Sequence, residues 1–103
     1  MAAATMSRID ELKDLEYRAS HIDVRDEAAF QEILRDARSV LEMSESQIAD
    51  ALSISRPTFN RWINGRSTPH IAMRTPAITW ISEQLNSRIK LRSAYEHSYA
   101  HTA

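Results

Sequence analysis

Apolar residues recur at intervals of three and four along most of this chain, which is the period of one face of an α-helix. We find no stretch with the strict alternation that is typical of a half-buried strand. A single glycine and three prolines leave little room for strands joined by tight turns, and 103 residues suit one domain. The sequence therefore predicts an all-α, single-domain fold.

Helix start signals divide the chain into five or six helices. Ser7, Ser44 and Ser55 each precede an apolar-periodic run, as N-caps do, and Asp23 or Asp26 serves the second helix. The predicted helices are 8–19, 26–43, a short one after Ser44, another after Ser55 that Gly65 closes, a short turn or helix from Thr68, and 75–92. The predicted core positions are Ile9, Leu12, Leu15, Ala19, Phe30, Ile33, Leu34, Ala37, Leu41, Ile48, Ala49, Leu52, Phe59, Trp62, Ile63, Ile78, Ile81, Leu85 and Ile89.

This pattern predicts three segments. Residues 1–25 would be an N-terminal extension with one helix, residues 26–92 a helix-turn-helix domain, and residues 93–103 a flexible tail. Within the domain, two short helices and a tight turn form the unit 44–65.

Charge is distributed unevenly, although the net charge is only −1. Residues 1–50 carry six Lys or Arg and twelve Asp or Glu, whereas residues 51–103 carry seven and two. No acid lies between Asp50 and Glu83, and four arginines do: Arg56, Arg61, Arg66 and Arg74. A local excess of positive charge favours docking of a polyanion, while the alternative is a chance imbalance between two solvated faces.

The helix after Ser55 has two unlike faces at 100° per residue. One face is polar and carries Arg56, Pro57, Asn60, Arg61 and Asn64. The other is apolar and carries Phe59, Trp62 and Ile63. A helix that enters the DNA major groove needs this division, because its outer side must be slim and polar. A helix pair that serves only as core or as a docking surface is the alternative.

The stretch SESQIADALSISRPTFNRWING, residues 44–65, resembles the XRE family of helix-turn-helix regulators, which includes phage Cro proteins and repressors. With its flanking helices the resemblance covers residues 26–84. The matching positions are Ser44, Ile48, Ala49, Leu52, Ser55, Phe59, Trp62, Gly65 and Pro69.

The resemblance implies a five-helix, lambda-repressor-like domain, usually a dimer on a pseudo-palindromic operator. By position it implies a set of residues that contact bases: Arg56, Pro57, Thr58, Asn60 and Arg61. It implies a second set near phosphates: Ser44, Glu45, Asn64 and Arg66. We also expect Ser67 and His70 near phosphates, with a spectator role as the alternative for His70.

Three positions depart from the family pattern. Glu45 stands where the family usually has Gln, and a phosphate would repel its carboxylate. Ser53 stands where the turn usually has Gly, so we expect a strained or different turn. Ile63 stands where a Glu often pairs with an arginine at the position of Arg38, so we expect Arg38 to pair with Glu42 or to turn toward DNA.

Other kinds of function have little support in the sequence. Without cysteine there is no disulfide or thiolate metal site, and no catalytic constellation or cofactor motif is visible, so we expect neither an enzyme nor a cofactor. His97 and His101 are spaced i, i+4 but have only Glu96 nearby, so we expect no metal site. Since we see no signal peptide or membrane-spanning stretch, we expect no membrane association and a cytoplasmic, nucleoid-associated location.

A second stripe on the last helix predicts a partner. Trp80 and Leu91 lie opposite the core stripe of that helix, and we expect them in a homodimer interface or packed against the first helix. The sequence as a whole favours a dimeric repressor that binds double-stranded DNA. The alternatives are an antitoxin-type autorepressor that also holds a small toxin protein, and an interaction module that does not bind DNA.

Overall fold

The computed structural model describes the backbone of residues 7–102 and the side chains of residues 7–95. In this range the chain forms five α-helices and no strand, so the predicted all-α fold with a long C-terminal helix is confirmed. The helices are α1 (Arg8–Ser20), α2 (Glu27–Val40), α3 (Glu45–Ala51), α4 (Arg56–Ile63) and α5 (Ile71–Thr102).

Side-chain N-caps begin the first four helices at the predicted residues. Ser7, Ser44 and Ser55 each accept a hydrogen bond from the backbone N–H three residues ahead, and Asp26 rather than Asp23 does so for α2. Ser44 belongs to a complete capping box, because the side chain of Gln47 accepts the Ser44 N–H at 2.8 Å. Each such cap stabilises its helix by about 1 kcal/mol.

Three helices end in the same hydrogen-bonded turn, with a residue of positive φ just beyond the helix. These residues are Glu42 at φ 56°, Ser53 at φ 60° and Gly65 at φ 71°. In each case the following N–H reaches back five residues, for example from Ile54 to the Ala49 carbonyl at 2.9 Å. This turn ends α2 at Val40 rather than at the predicted residue 43, and it confirms a strained turn at Ser53.

All five helices contribute to one core. The buried apolar residues are Leu12, Leu15, Ala19, Phe30, Ile33, Leu34, Ala37, Leu41, Ile48, Ala49, Phe59, Trp62, Ile63, Ala77, Ile78, Ile81 and Leu85. Of the predicted core, Leu52 and Ile89 are only partly buried and pack at its edge, and Ile9 is half-buried. Because α1 packs along α5 and buries Leu12 and Leu15, the first helix is part of the same core as α3 and α4.

The limits of α5 differ from the predicted 75–92. The helix begins at Ile71 because His70 caps it: the His70 carbonyl accepts the Met73 N–H at 2.8 Å, and its ring Nδ1 accepts the Ala72 N–H at 3.0 Å. Pro76 therefore lies inside the helix rather than at its start. The helical backbone continues to Thr102 through the predicted tail, since residues 93–102 contain no Gly or Pro to end it. Among the helices described, none is both long enough and apolar enough to cross a membrane.

Candidate nucleic-acid interface

A four-residue turn joins α3 to α4, and hydrogen bonds hold it against the end of α3. The Ser53 N–H donates to the Asp50 carbonyl at 3.1 Å, and the Ile54 N–H donates to the Ala49 carbonyl at 2.9 Å. Ser55 then begins α4 by accepting the Thr58 N–H at 3.2 Å. Since Ala49 is itself buried, the turn is fixed to the core and sets the direction in which α4 leaves it.

The two faces of α4 are as unlike in the structure as in the sequence. Phe59, Trp62 and Ile63 are buried, and the Trp62 ring lies edge-on to Phe30 with 6.5 Å between ring centroids. Arg56, Pro57 and Arg61 are exposed on the other side. The outer surface of α4 is thus available to a partner, while its inner surface fixes it to the protein.

A shallow cavity of about 370 Å³ lies along this outer surface. Its lining residues are Arg56, Pro57, Asn60, Arg61 and Arg66. Four of them are residues that the sequence predicted to contact bases, and the fifth was predicted to lie near a phosphate. The structure therefore brings the central residues of the predicted site together around one concave surface.

The fifth predicted base-contacting residue, Thr58, lies apart from this cavity. Its hydroxyl is 2.8 Å from the Ser55 hydroxyl and 3.3 Å from Nη2 of Arg61, and the residue is half-buried. Thr58 thus takes part in the N-cap of α4, and its hydroxyl accepts a hydrogen bond from the Arg61 guanidinium. Asn64, predicted near a phosphate, turns back along the helix and donates its amide to the Asn60 carbonyl at 2.9 Å.

The other predicted phosphate residues occupy helix starts and loops. Ser44 is exposed, and its hydroxyl oxygen caps α3 while its hydrogen stays available to a phosphate. Ser67 is exposed in the segment after α4. The His70 ring is exposed but caps α5, so sequence reasoning missed its structural use.

Arg38 does not pair with Glu42, which was one of its two predicted roles; its ion-pair partner is Glu45. Arg38 Nη1 lies 2.6 Å from Glu45 Oε2, whereas Glu42 pairs with Arg8 at 3.0 Å. The left-handed turn at Glu42 carries its side chain toward α1, which a straight continuation of α2 would not do. The same pair explains the departure at Glu45, since its carboxylate is neutralised by Arg38 instead of standing alone against a phosphate.

Arg74 does not belong to the exposed basic surface, although it falls in the acid-free stretch. The residue is 9% exposed, and its guanidinium donates to the Pro69 and Val24 carbonyls, both at 2.9 Å. It also lies 3.4 Å from Glu27. Counting Arg74 among the cations available to a polyanion was wrong, because these bonds tie the segment after α4 to the start of α2.

Two residues of α2 hold the end of α4, and sequence reasoning missed both. The Ile63 carbonyl accepts hydrogen bonds from Gln31 Nε2 at 3.1 Å and from Arg35 Nη2 at 3.0 Å. The Gln31 amide lies so close to Gly65 that a Cβ there would meet it at 3.1 Å. In the sequence, the i, i+4 spacing of Gln31 and Arg35 places both on the same face of α2. This spacing does not identify the group to which they bind.

The three arginines of the cavity have no ion pair with any described side chain. The ion pairs of the described residues involve other arginines: Arg8, Arg18, Arg25, Arg38 and Arg74. The three arginines therefore give the cavity a positive charge that no ion pair with a described carboxylate offsets.

The two residues predicted for a dimer interface lie in different cavities. Trp80 is half-buried and lines a cavity of about 180 Å³ with Trp62 and Met73. Leu91 is 73% exposed and lines another, of about 150 Å³, beside Arg8. The structure therefore does not join them into one surface.

In the part of the chain with described side chains, no three His, Asp or Glu residues are grouped as a metal site would need. His97 and His101, the pair considered in the sequence, lie outside that part.

Comparisons with known protein families, curated proteins and solved structures find no match to this chain. The geometry of α4 and its cavity is what supports a function.

Proposed function

We propose that this chain is a sequence-specific regulator of transcription that binds double-stranded DNA, acting as a dimeric repressor on a palindromic operator. The observation that supports it is the surface of α4. One side of this helix is buried, and the other presents Arg56, Arg61 and Arg66 around an open cavity with no described ion pair. This is the arrangement that a helix needs to enter a major groove about 12 Å wide.

Each residue of the cavity suits a part of duplex DNA. Arg56 and Arg61 have guanidinium groups that can donate two hydrogen bonds to O6 and N7 of guanine. Pro57 offers an apolar edge to the methyl group of thymine. Arg66 follows the end of α4, where a charge near the groove wall neutralises a phosphate and strengthens binding to any sequence.

A titration with random-sequence duplex at several salt concentrations tests DNA binding. We expect affinity to fall as salt rises, because neutralised phosphates release counterions. The double variant Arg56→Ala/Arg61→Ala should bind random duplex at least about tenfold more weakly. The matched control Lys13→Ala/Arg25→Ala removes the same charge from the exposed surface of α1 and the following loop, and should bind like the wild type. Equal losses in both variants, or no binding by the wild type, would refute the proposal.

The dimer would form through the cavity that contains Trp80. Its neighbourhood is the most exposed apolar part of α5 near α4, with Ile71 at 40% and Met73 at 46% exposure. If the dimer forms, its two α4 helices should meet successive major grooves of the duplex, about 34 Å apart. Sedimentation at micromolar concentration checks this: Met73→Glu should give monomers, whereas Leu91→Glu should leave the dimer intact. The reverse result would assign the interface to the Leu91 cavity.

A protein partner in addition to DNA is a second candidate, as in an antitoxin that represses its own operon. A cavity of about 320 Å³ between α1 and α2 favours it, since apolar side chains such as Tyr17, Ile22 and Ile33 line it and are open to a partner. Co-purification of a small partner protein, lost in Tyr17→Ala, would support this function. A regulator of this kind works in the cytoplasm, at the nucleoid.

A further inference from the structure

The side chains of α3 and α4 form a hydrogen-bonded chain at the edge of the cavity. Arg38 contacts Glu45 Oε2 at 2.6 Å, and Glu45 Oε1 accepts from Nδ2 of Asn60 at 3.1 Å. On the other side, Nδ2 of Asn64 donates to Oδ1 of Asn60 at 3.2 Å. Asn60 is therefore held between a carboxylate and an amide, while it also lines the cavity.

These partners fix which way the Asn60 amide points. A carboxylate only accepts hydrogen bonds, so the group that faces Glu45 has to be the amide nitrogen. Asn64 donates from its nitrogen, so the group that faces it has to be the oxygen. A 180° turn of the Asn60 amide would lose both bonds and set its oxygen against the Glu45 carboxylate.

The hydrogen bonds within the protein leave half of the capacity of this amide unused. Asn carries two N–H hydrogens and an oxygen with two lone pairs. Glu45 takes one hydrogen and Asn64 takes one lone pair. One donor and one acceptor remain for a group that enters the cavity, and the two bonds fix which side of the amide carries each.

We propose that Glu45 is a positioning residue that orients Asn60 to read adenine. This inference rests on the proposed function, and it names the base that the site prefers. Adenine presents the N7 acceptor and the N6 donor side by side in the major groove, which matches the remaining donor and acceptor of the amide. Guanine presents two acceptors there, so the Asn60 oxygen would oppose its O6.

The fixed order of donor and acceptor also separates A·T from T·A. When the adenine changes strand, the order of N6 and N7 across the groove reverses. An amide that is free to turn over could follow this reversal, whereas the amide held by Glu45 and Asn64 cannot. Arg38 supports this arrangement, because its guanidinium pairs with the Glu45 carboxylate and offsets its charge.

Selection of bound sequences from a random duplex library tests the proposal with four full-length proteins. They are the wild type, Asn60→Ala, Glu45→Ala and Asp50→Ala. Asp50→Ala is the matched control, because Asp50 is an exposed acid of the same helix and its side chain has no hydrogen bond to a described residue. The position that Asn60 reads is the one whose preference disappears in Asn60→Ala.

At that position the wild type should prefer adenine by about tenfold, as expected for one bidentate pair. Glu45→Ala should reduce this preference to about twofold, while the preferences set by other residues persist. Asp50→Ala should retain the full preference. Glu45→Gln keeps one oxygen acceptor for two donors, so it should give an intermediate preference, and it replaces Glu45→Ala if that variant fails to fold.

The outcomes separate this inference from the proposed function. If the wild type selects no motif, the DNA-reading function itself fails. If it selects a motif but Glu45→Ala keeps its adenine preference, or if Asn60 governs a base other than adenine, the positioning role is overturned and the regulator stands.

Discussion

The arginines of α1, α2 and the loop between them differ from those on the outer surface of α4. Arg18 is shared by Asp14 at 3.1 Å and Asp36 at 2.9 Å, whereas Arg56 and Arg61 have no carboxylate partner among the described side chains. Burial lowers the pKa of the Arg18 guanidinium, but hydrogen bonds and charge from Asp36 and Asp14 outweigh it and raise that pKa.

The arginine in the loop between α1 and α2 also has its ion-pair partner within the protein. Hydrogen bonds from the Arg25 side chain and backbone lower the pKa of the Asp23 carboxyl, and both side chains are exposed. A net charge of −1 therefore describes neither region. The arginines of the first region are bound by other groups of the protein, and those on the outer surface of α4 remain available for a polyanion.

The largest expected effect is that of replacing Arg74. This residue lies in the acid-free stretch of the sequence, but it is bound within the protein like the arginines of α1 and α2. Arg74→Ala should destabilise the protein by about 3 kcal/mol, since two carbonyls and Glu27 lose a charged, buried donor. Urea unfolding measures the change. Arg92→Ala, an exposed residue of the same helix, should change stability by less than about 0.5 kcal/mol. An equally small effect of Arg74→Ala would show that the pairing of Arg74 has no structural importance.

Arg61 gives the next largest effect, on sequence preference rather than stability. Arg61→Ala should abolish discrimination between the selected operator and scrambled duplex at the position it reads, a loss of about 1–3 kcal/mol. Competition binding measures the ratio of the two affinities. Lys13→Ala, an exposed cation of α1, should leave this ratio unchanged. Discrimination that survives in Arg61→Ala would contradict the assignment of α4 as the reading helix.

Local signals in the sequence were sufficient for the helices but not for the contacts between them. Ser7, Ser44 and Ser55 could be recognised because a cap acts within three residues of itself. A proline after a threonine is typical of a helix start, so Pro76 predicted the wrong beginning for α5. The residue that caps α5 is His70, through its ring.

The site shows the same division between local and long-range information. The two faces of α4 follow from its own periodicity and were predicted. The pairing of Arg38 with Glu45 depends on a turn at Glu42 that needs a left-handed residue, and no glycine marks it. The burial of Arg74 depends on Val24, fifty positions away, which no local pattern reveals.

A smaller effect is expected at the two turns in which a residue other than glycine has a positive φ. Glu42 lies in the turn after α2, and Ser53 lies in the turn before α4. Ser53→Gly should stabilise the protein by about 1 kcal/mol, because glycine adopts a positive φ without a Cβ clash. Glu42→Gly should gain the same relief but lose the ion pair with Arg8, so its net change should be close to zero. Thermal unfolding of both variants measures the difference. A stabilisation by Glu42→Gly as large as that by Ser53→Gly would show that pairing with Arg8 contributes nothing.

The smallest expected effect is that of replacing Arg66, a cation that has no ion pair with a described side chain. Arg66→Ala should weaken binding to every DNA sequence alike and reduce the slope of log affinity against log salt by about one unit. Arg25→Ala should leave that slope unchanged, because Arg25 is as exposed but is engaged by Asp23. The two variants have the same net charge, so a difference between their slopes can only come from where the charge lies. If Arg25→Ala changes the slope as much as Arg66→Ala, the DNA responds to total charge, and the contrast between paired and unpaired arginines has no bearing on binding.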